Sequence, residues 1–294
     1  MHYNGPVVRP PHEASSILLE VTTGCTHNSC TFCTFYKGVP FRMSSWQQIE
    51  EDLQESAHFR PNARRVWLTG GDPFTLRTDL LEKLALLVRK YQPAANIATY
   101  ARVDSFFHKN VEDLKKLHTL GYNDLVIGIE SGDDRTLRAV NKGYTAADVL
   151  RECKKLEAAG IRYYIIYLGG IAGAGRCEAN ALQTAAVFNQ LHPYFMYLTT
   201  VTLFPDSQMY RDVQQGKFQE ASEKERIQEF YTLLTHLTIP LKVDARSISN
   251  PIHFYLELPR DLPAFKQQTG SLLRNFTAQE EKALRRQRRM QQII

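Results

Sequence analysis

Six short runs rich in apolar and β-branched residues recur between residues 16 and 205, separated by stretches with the period of an amphipathic helix. The runs cover 16–23 (SILLEVTT), 65–69 (RVWLT), 96–100 (NIATY), 125–130 (LVIGIE), 162–168 (RYYIIYL) and 195–203 (FMYLTTVTL). Helical patterns fill 45–59, 78–91, 110–120, 145–159 and 178–191. In 45–59 the apolar residues are Trp46, Ile49, Leu53 and Ala57, and Ser45 with Gln48 forms a cap signal. Gly121 and Gly160 close two of the others, as glycine does at helix C-termini. Alternation at this spacing predicts parallel βαβ units with right-handed crossovers. Six units are fewer than the eight of a closed barrel, so an incomplete barrel or an open doubly wound sheet is expected.

Beyond residue 205 the pattern changes. Ser222 and Glu225 open a helix over 222–237, 241–258 is mixed with one strand candidate at 252–258, and two terminal helices follow. The expected organisation is an N-terminal segment (1–15), a core (16–205) and a C-terminal α/β extension (206–294). That extension is expected to pack on the core and end in a basic helix.

In α/β folds chemistry collects where strands end at their carboxyl termini. Behind the first strand lie Cys25, Cys30 and Cys33 in GCTHNSCTFC, a C-x4-C-x2-C spacing. Three thiolates suit a soft metal and are one short of a closed all-cysteine site, which leaves a metal position for a substrate. The second strand ends in Gly70-Gly71-Asp72-Pro73, a tight turn or a backbone that a ligand approaches closely. Arg102 and Asp104 follow the third strand, and Glu130 and Ser131 the fourth. Glu130 needs a partner there, either ribose hydroxyls or a salt bridge to Arg135 or Lys142. After the fifth strand comes GGIAGAG (169–175), either a flexible loop or close backbone contact with a flat or phosphorylated group. No Gly-Lys-Ser/Thr follows, so it is not a P-loop. Arg102, Asp104, Tyr167 and Cys177 are the candidates for substrate contact.

Composition bounds the setting. The chain has 294 residues, 43% hydrophobic and 23% charged, as in ordinary globular proteins. No apolar run is long enough for a bilayer, and no signal-peptide core stands at the N-terminus, so no membrane is expected. Five cysteines, three of them clustered, argue for a reducing, cytoplasmic setting over a disulfide framework. Cys153 falls on the apolar face of its helix and reads as a core residue. Residues 277–294 supply much of the net charge of +5, with Lys282, Arg285, Arg286, Arg288 and Arg289 against Glu280 and Glu281. This tail is either a solvated helix face or an electrostatic nucleic-acid contact. Three other functions use the same features: a zinc module with His27 beside the cysteines, a [2Fe–2S] electron carrier, and a non-catalytic RNA-binding protein.

Taken in order, the strand-end residues resemble the radical S-adenosylmethionine (radical SAM) superfamily, similar to the core of oxygen-independent coproporphyrinogen oxidases and methylthiotransferases. The usual cluster motif is C-x3-C-x2-C, so the first gap here is one residue longer. The resemblance covers about 15–205 and implies an α/β fold, an incomplete (β/α)6 barrel (partial TIM barrel). It implies a [4Fe–4S] cluster on Cys25, Cys30 and Cys33, with S-adenosylmethionine on the open iron. Phe32 takes the position near the adenine, and Gly70, Gly71, Asp72 and Pro73 that of the motif whose backbone binds the methionyl amino group. Glu130, with Ser131, takes the ribose position. Lys142 stands where similar enzymes place an arginine against the methionyl carboxylate, and the segment from Gly160 to Gly173, with Gly170 and Ile171, that of the adenine-holding strand. A weaker echo, residues 247–262 (SISNPIHFYLELPRDL), resembles a C-terminal segment of uncharacterised members. The implied activity is reductive cleavage of S-adenosylmethionine to a 5′-deoxyadenosyl radical that abstracts hydrogen from a substrate. An electron donor such as flavodoxin or ferredoxin and oxygen sensitivity go with it. No second cysteine group suggests an auxiliary cluster.

Overall fold

A computed structural model describes residues 1–291. The chain forms two compact units: Met1–Asn28, Phe35–Gly128 and Arg151–Tyr164 in the first, and Ser29–Thr34, Ile129–Leu150 and Ile165–Ile294 in the second. In chain order the elements begin with β1 (Ile17–Glu20), β2 (Thr22–Thr23), β3 (Arg42–Met43), α1 (Trp46–Phe59), β4 (Arg65–Thr69), α2 (Thr78–Tyr91), β5 (Asn96–Ala101), α3 (Val111–Thr119) and β6 (Leu125–Glu130). Then come α4 (Asp134–Ala139), α5 (Ala146–Ala158), β7 (Tyr163–Gly169), α6 (Cys177–Phe188), β8 (Phe195–Thr200), α7 (Gln208–Gln214) and α8 (Glu223–His236). β9 (Leu241–Asp244), β10 (Tyr255–Leu258), α9 (Leu262–Asn275) and α10 (Ala278–Met290) complete the described chain.

In the first unit β1, β4, β5 and β6 lie side by side and parallel, with Ile17 opposite Val66, Arg65 opposite Asn96 and Tyr100 opposite Val126. Val66, Trp67 and Leu68 of β4 are all fully buried, so this strand is covered on both faces. That explains why these strands read as continuous apolar runs and not as alternating ones. Helices α1 and α2 bury Ile49 and Leu53, and Leu81, Leu84 and Val88, behind them. The 16–23 run is broken at Val21, whose carbonyl accepts from the Ser44 N–H at 2.9 Å, and β2 pairs with β3 instead.

In the second unit the end of β6 is followed by β7, β8, β9 and β10. β9 is parallel to β8, with Lys242 opposite Phe195, and β10 turns back antiparallel, with Tyr255 opposite Asp244. Helix α6 buries Asn180, Ala181, Thr184, Ala185 and Phe188, and α8 buries Arg226, Ile227, Glu229, Phe230, Leu233 and Leu234. The expected α/β fold with mostly parallel strands is present, and among the described residues no closed barrel forms. The 252–258 strand is shorter than expected, and α4, α7, β3 and β9 were not foreseen. They span six, seven, two and four residues, too few to show a period. No described helix is long and apolar enough to cross a membrane.

Candidate functional site: the strand ends of each unit

The unit boundary runs through the cysteine segment, leaving Cys25 in the first unit and Cys30 and Cys33 in the second.

In the first unit, the turn after β2 and the turn after β4 close on each other. The Gly71 N–H donates to the Gly24 carbonyl at 2.8 Å. A Cβ on Gly71 would stand 2.7 Å from the Cys25 Cβ, and one on Gly70, at φ +130°, 2.1 Å from Thr22 Oγ1. Glycine is therefore required at 71 by packing against the cysteine segment itself, and at 70 by packing against Thr22 of β2 and by the positive φ. Asp72 is buried, and its carboxylate accepts from Thr26 Oγ1 (2.8 Å), from the Arg102 N–H (3.4 Å) and from the Ser105 hydroxyl. Burial pushes its carboxyl up to about 6, against the opposing hydrogen bonds. Pro73 is buried behind it. The Arg102 guanidinium forms a two-pronged pair with Asp104, both contacts at 2.8 Å. Burial pushes the Cys25 thiol up, while the backbone N–H groups of Asn28 and His27 favour its thiolate. Asn28, inside the lengthened gap, has φ +43°, and its side-chain amide donates to the Tyr36 carbonyl at 2.7 Å.

In the second unit, the rest of the cysteine segment hangs between two helix ends. The Thr31 N–H donates to the Val140 carbonyl at 3.0 Å, and the Met209 N–H to the Thr31 carbonyl at 2.8 Å. Asn141 donates to the Ser29 carbonyl at 3.0 Å. These contacts explain α4 and α7: each presents a terminus to this segment. Phe32 packs against buried Val140, Ile171, Val201 and Met209. Glu130 ends β6 at φ +69°, a strained conformation for a non-glycine residue. Its carboxylate lies 3.4 Å from Lys142 Nζ. That ammonium is 5.8 Å from the Phe32 ring and 5.4 Å from the Tyr144 ring. Phe32, Glu130, Lys142 and Ile171, expected together from sequence, are thus neighbours.

Other candidates need correction. Tyr167 is fully buried, donating to Glu229 Oε1 at 2.7 Å and accepting from Asn180 at 2.9 Å, so it cannot meet a substrate. Cys177 is buried against the Gly173 carbonyl, its thiol pushed up by desolvation. The close approach allowed by Gly169 and Gly170 is filled by α8: added Cβ atoms would stand 2.6 Å from Phe230 Cε1 and 2.3 Å from Arg226 Nη1. The basic tail is partly structural too. Arg288 is buried and grips both carboxylate oxygens of Glu223 at 2.7 and 2.6 Å, which removes it from any nucleic-acid face. The last residues of that tail, 292–294, lie outside the described residues. Sequence reading missed Glu229, Arg226 and Asn180. The available signal was two charges, Arg226 and Glu229, in helical register with Leu233.

Among the described residues no group of three or more His, Cys, Asp or Glu side chains is gathered so that it could hold a metal ion. None of the five cysteines is in a disulfide.

A family model described as the radical SAM superfamily matches residues 19–172, just over half the chain and including all three clustered cysteines. The chain belongs to the radical SAM superfamily. S-adenosylmethionine-dependent radical chemistry is the general class, with a [4Fe–4S] cluster and S-adenosylmethionine as its cofactors. A curated relative is 4′-phospho-dehydrooxetanocin synthase of Priestia megaterium, 26% identical over 179 residues, which are 52% of this chain and 23% of that protein. Among solved structures, the radical SAM methyltransferase TsrM of Kitasatospora setae superposes with TM-score 0.56 at 17% identity, over 68% of this chain and 37% of that one. Coproporphyrinogen III oxidase HemN of Escherichia coli gives 0.54 at 15% identity, over 87% and 52%. Methylornithine synthase PylB gives 0.51 at 13%, over 87% and 81%. These superpositions show the radical SAM fold. The chain spans about a quarter of its curated relative and under two fifths of TsrM.

Proposed function

We propose that this chain cleaves S-adenosylmethionine reductively at a [4Fe–4S] cluster on Cys25, Cys30 and Cys33, and removes hydrogen from an organic substrate. The observation that carries this reading is the family match across the C-x4-C-x2-C segment. By donor chemistry, although the three side chains are not gathered on one point, the residues present fit the cofactors. Three cysteines outside any disulfide suit a cluster with one open iron. The backbone N–H groups of His27 and Asn28 at the Cys25 sulfur stabilise the thiolate such a ligand requires. The Thr202 hydroxyl, just past β8, is buried with no hydrogen-bond partner, as an atom awaiting a polar ligand would be.

When bound, the cluster and S-adenosylmethionine supply a 5′-deoxyadenosyl radical, the hydrogen-abstracting species. The chain's own residues hold and orient. The Gly70 and Gly71 carbonyls would accept from the methionyl ammonium. Asp72, committed to Thr26, Ser105 and Arg102, supports that turn from behind. Lys142 would pair with the methionyl carboxylate as a single ammonium, without the two-pronged fork of an arginine. Glu130 would accept from the ribose hydroxyls, with Ser131 fixing the turn beyond it. Phe32 and the backbone at Ile171 would flank the adenine, Gly170 being occupied by α8. Arg102 and Asp104 remain candidates for substrate contact. A small redox protein such as flavodoxin or ferredoxin in a cytoplasmic, oxygen-poor setting would deliver the electron.

Anaerobic reconstitution followed by an assay for 5′-deoxyadenosine tests the reading. The parent should bind close to four irons and release 5′-deoxyadenosine under dithionite, and Cys30→Ala should lose both completely. Continued 5′-deoxyadenosine release by Cys30→Ala would end the assignment.

A further inference from the structure

Helix α8 lies outside the family-matched segment, yet it places a buried carboxylate at the end of β7. Glu229 is fully buried. Its Oε2 accepts from the Gly170 N–H at 2.6 Å. Its Oε1 accepts from the Tyr167 hydroxyl at 2.7 Å and from the Asn180 amide at 2.8 Å. The Asn180 carbonyl oxygen in turn accepts from the Ser131 hydroxyl at 2.5 Å, and Ser131 Oγ accepts from the Asp133 N–H at 2.9 Å. One chain of hydrogen bonds therefore runs from the β7 glycine turn through Glu229 and Asn180 to the residue after Glu130. Arg226, one turn earlier on α8, donates to the Val201 carbonyl just past β8 at 3.2 Å. Burying a carboxylate is costly unless its acceptor sites are used, and here they fix three separate donors.

We propose that Glu229 is a positioning residue for the nucleoside half of S-adenosylmethionine, setting the β7 turn directly and the β6 turn through Asn180 and Ser131. This rests on the cofactor reading above. Two turns from different strands are tied to one carboxylate, the β7 turn directly and the β6 turn through the Asn180 amide, so they keep a fixed spacing. A nucleoside spans both, with ribose at Glu130 and base at Ile171, the residue after the N–H that Glu229 holds. The C-terminal portion of the chain is then part of the cofactor site, although it contributes no atom to the cofactor.

The test uses the full-length, anaerobically reconstituted protein. Glu229→Gln keeps the shape but presents an amide N–H₂ where one of the three donors needs an acceptor. Glu229→Asp keeps the charge but shortens the reach. Lys224→Ala, on an exposed part of α8, is the control. Three quantities are measured: iron and sulfide content, the dissociation constant of S-adenosylmethionine without reductant, and amide hydrogen exchange in the cluster-free protein. Glu229→Gln should keep its iron, bind S-adenosylmethionine about tenfold or more weakly, and exchange faster only in peptides covering 129–133 and 165–175. Glu229→Asp should recover part of the affinity. A folded Glu229→Gln protein that binds S-adenosylmethionine as tightly as the parent overturns the proposal. So does a loss of affinity accompanied by faster exchange throughout the second unit, which would mark a merely structural role. A parent that carries its cluster but binds no S-adenosylmethionine overturns the cofactor reading itself, and is separable from both.

Discussion

Asp72 in the first unit and Glu229 in the second perform the same task with opposite wiring. Each is a buried carboxylate next to a strand-end glycine pair, and burial raises the pKa of each. Asp72 belongs to its own turn, and its donors come from the neighbouring strand ends at Thr26, Arg102 and Ser105. Glu229 reaches its turn from 59 residues away. Helix α8 depends on still more distant support, because Glu281 of α10 accepts from the N–H groups of Glu223 and Lys224 at 2.9 and 3.0 Å. A local carboxylate makes a turn self-sufficient. A remote one makes the turn answer to the rest of the unit.

If the second unit depends on remote support, cutting that support should have the largest effect. Arg288→Ala leaves Glu223 buried without its cation, and should cost about 3–5 kcal/mol in denaturant unfolding. Arg285→Ala, on the same helix but half exposed, should cost about 0.5 kcal/mol or less. Equal effects would mean that α10 does not brace α8. The next effect belongs to Asp72 and separates the two carboxylates by pH. Its folded pKa of about 6 lies above the ordinary 3.8, so the folded state holds a proton in that window that the unfolded state has released. Stability should therefore fall as pH rises from about 4 to about 6 and then level, by up to about 3 kcal/mol. Asp72→Asn removes this slope, so the variant should gain on the parent across that window in urea melts. A pH-independent difference would show that Asp72 is already ionised there. Smallest is Thr26→Val, which deletes one partly exposed hydrogen bond to Asp72 and should cost about 1 kcal/mol or less. A larger loss would mean that the first turn is not self-sufficient.

The same contrast explains what the sequence disclosed. The strands of the parallel sheet were readable because burial on both faces makes them unbroken apolar runs, as Val66, Trp67 and Leu68 illustrate. Cys25, the glycine pair at 70–71 and Glu130 were readable because each stands at or soon after such a run, whereas Lys142, twelve residues past Glu130, was picked out only through the resemblance. The short helix α4 was not, although Asp133 caps it by accepting from the Arg135 and Thr136 N–H groups. The glycines at 169–170 suggested a ligand, yet the atoms filling their free space are Phe230 and Arg226, from a helix that no local pattern connects to them. Glu229 reads locally as one more surface glutamate in EKERIQEFYTLLTH. Only the stripe it shares with Leu233 marks it as buried.

The 59 residues between Gly170 and Glu229 also set a timetable. A ribosome adding about 5–20 residues per second exposes the β7 turn several seconds before the carboxylate that fixes it. The cysteines and the first glycine pair emerge earlier still, with Asp72 already beside them in the chain. A nascent chain thus has its cysteines well before the β6 and β7 turns are tied together, and the first unit's turn can close before the second unit's can.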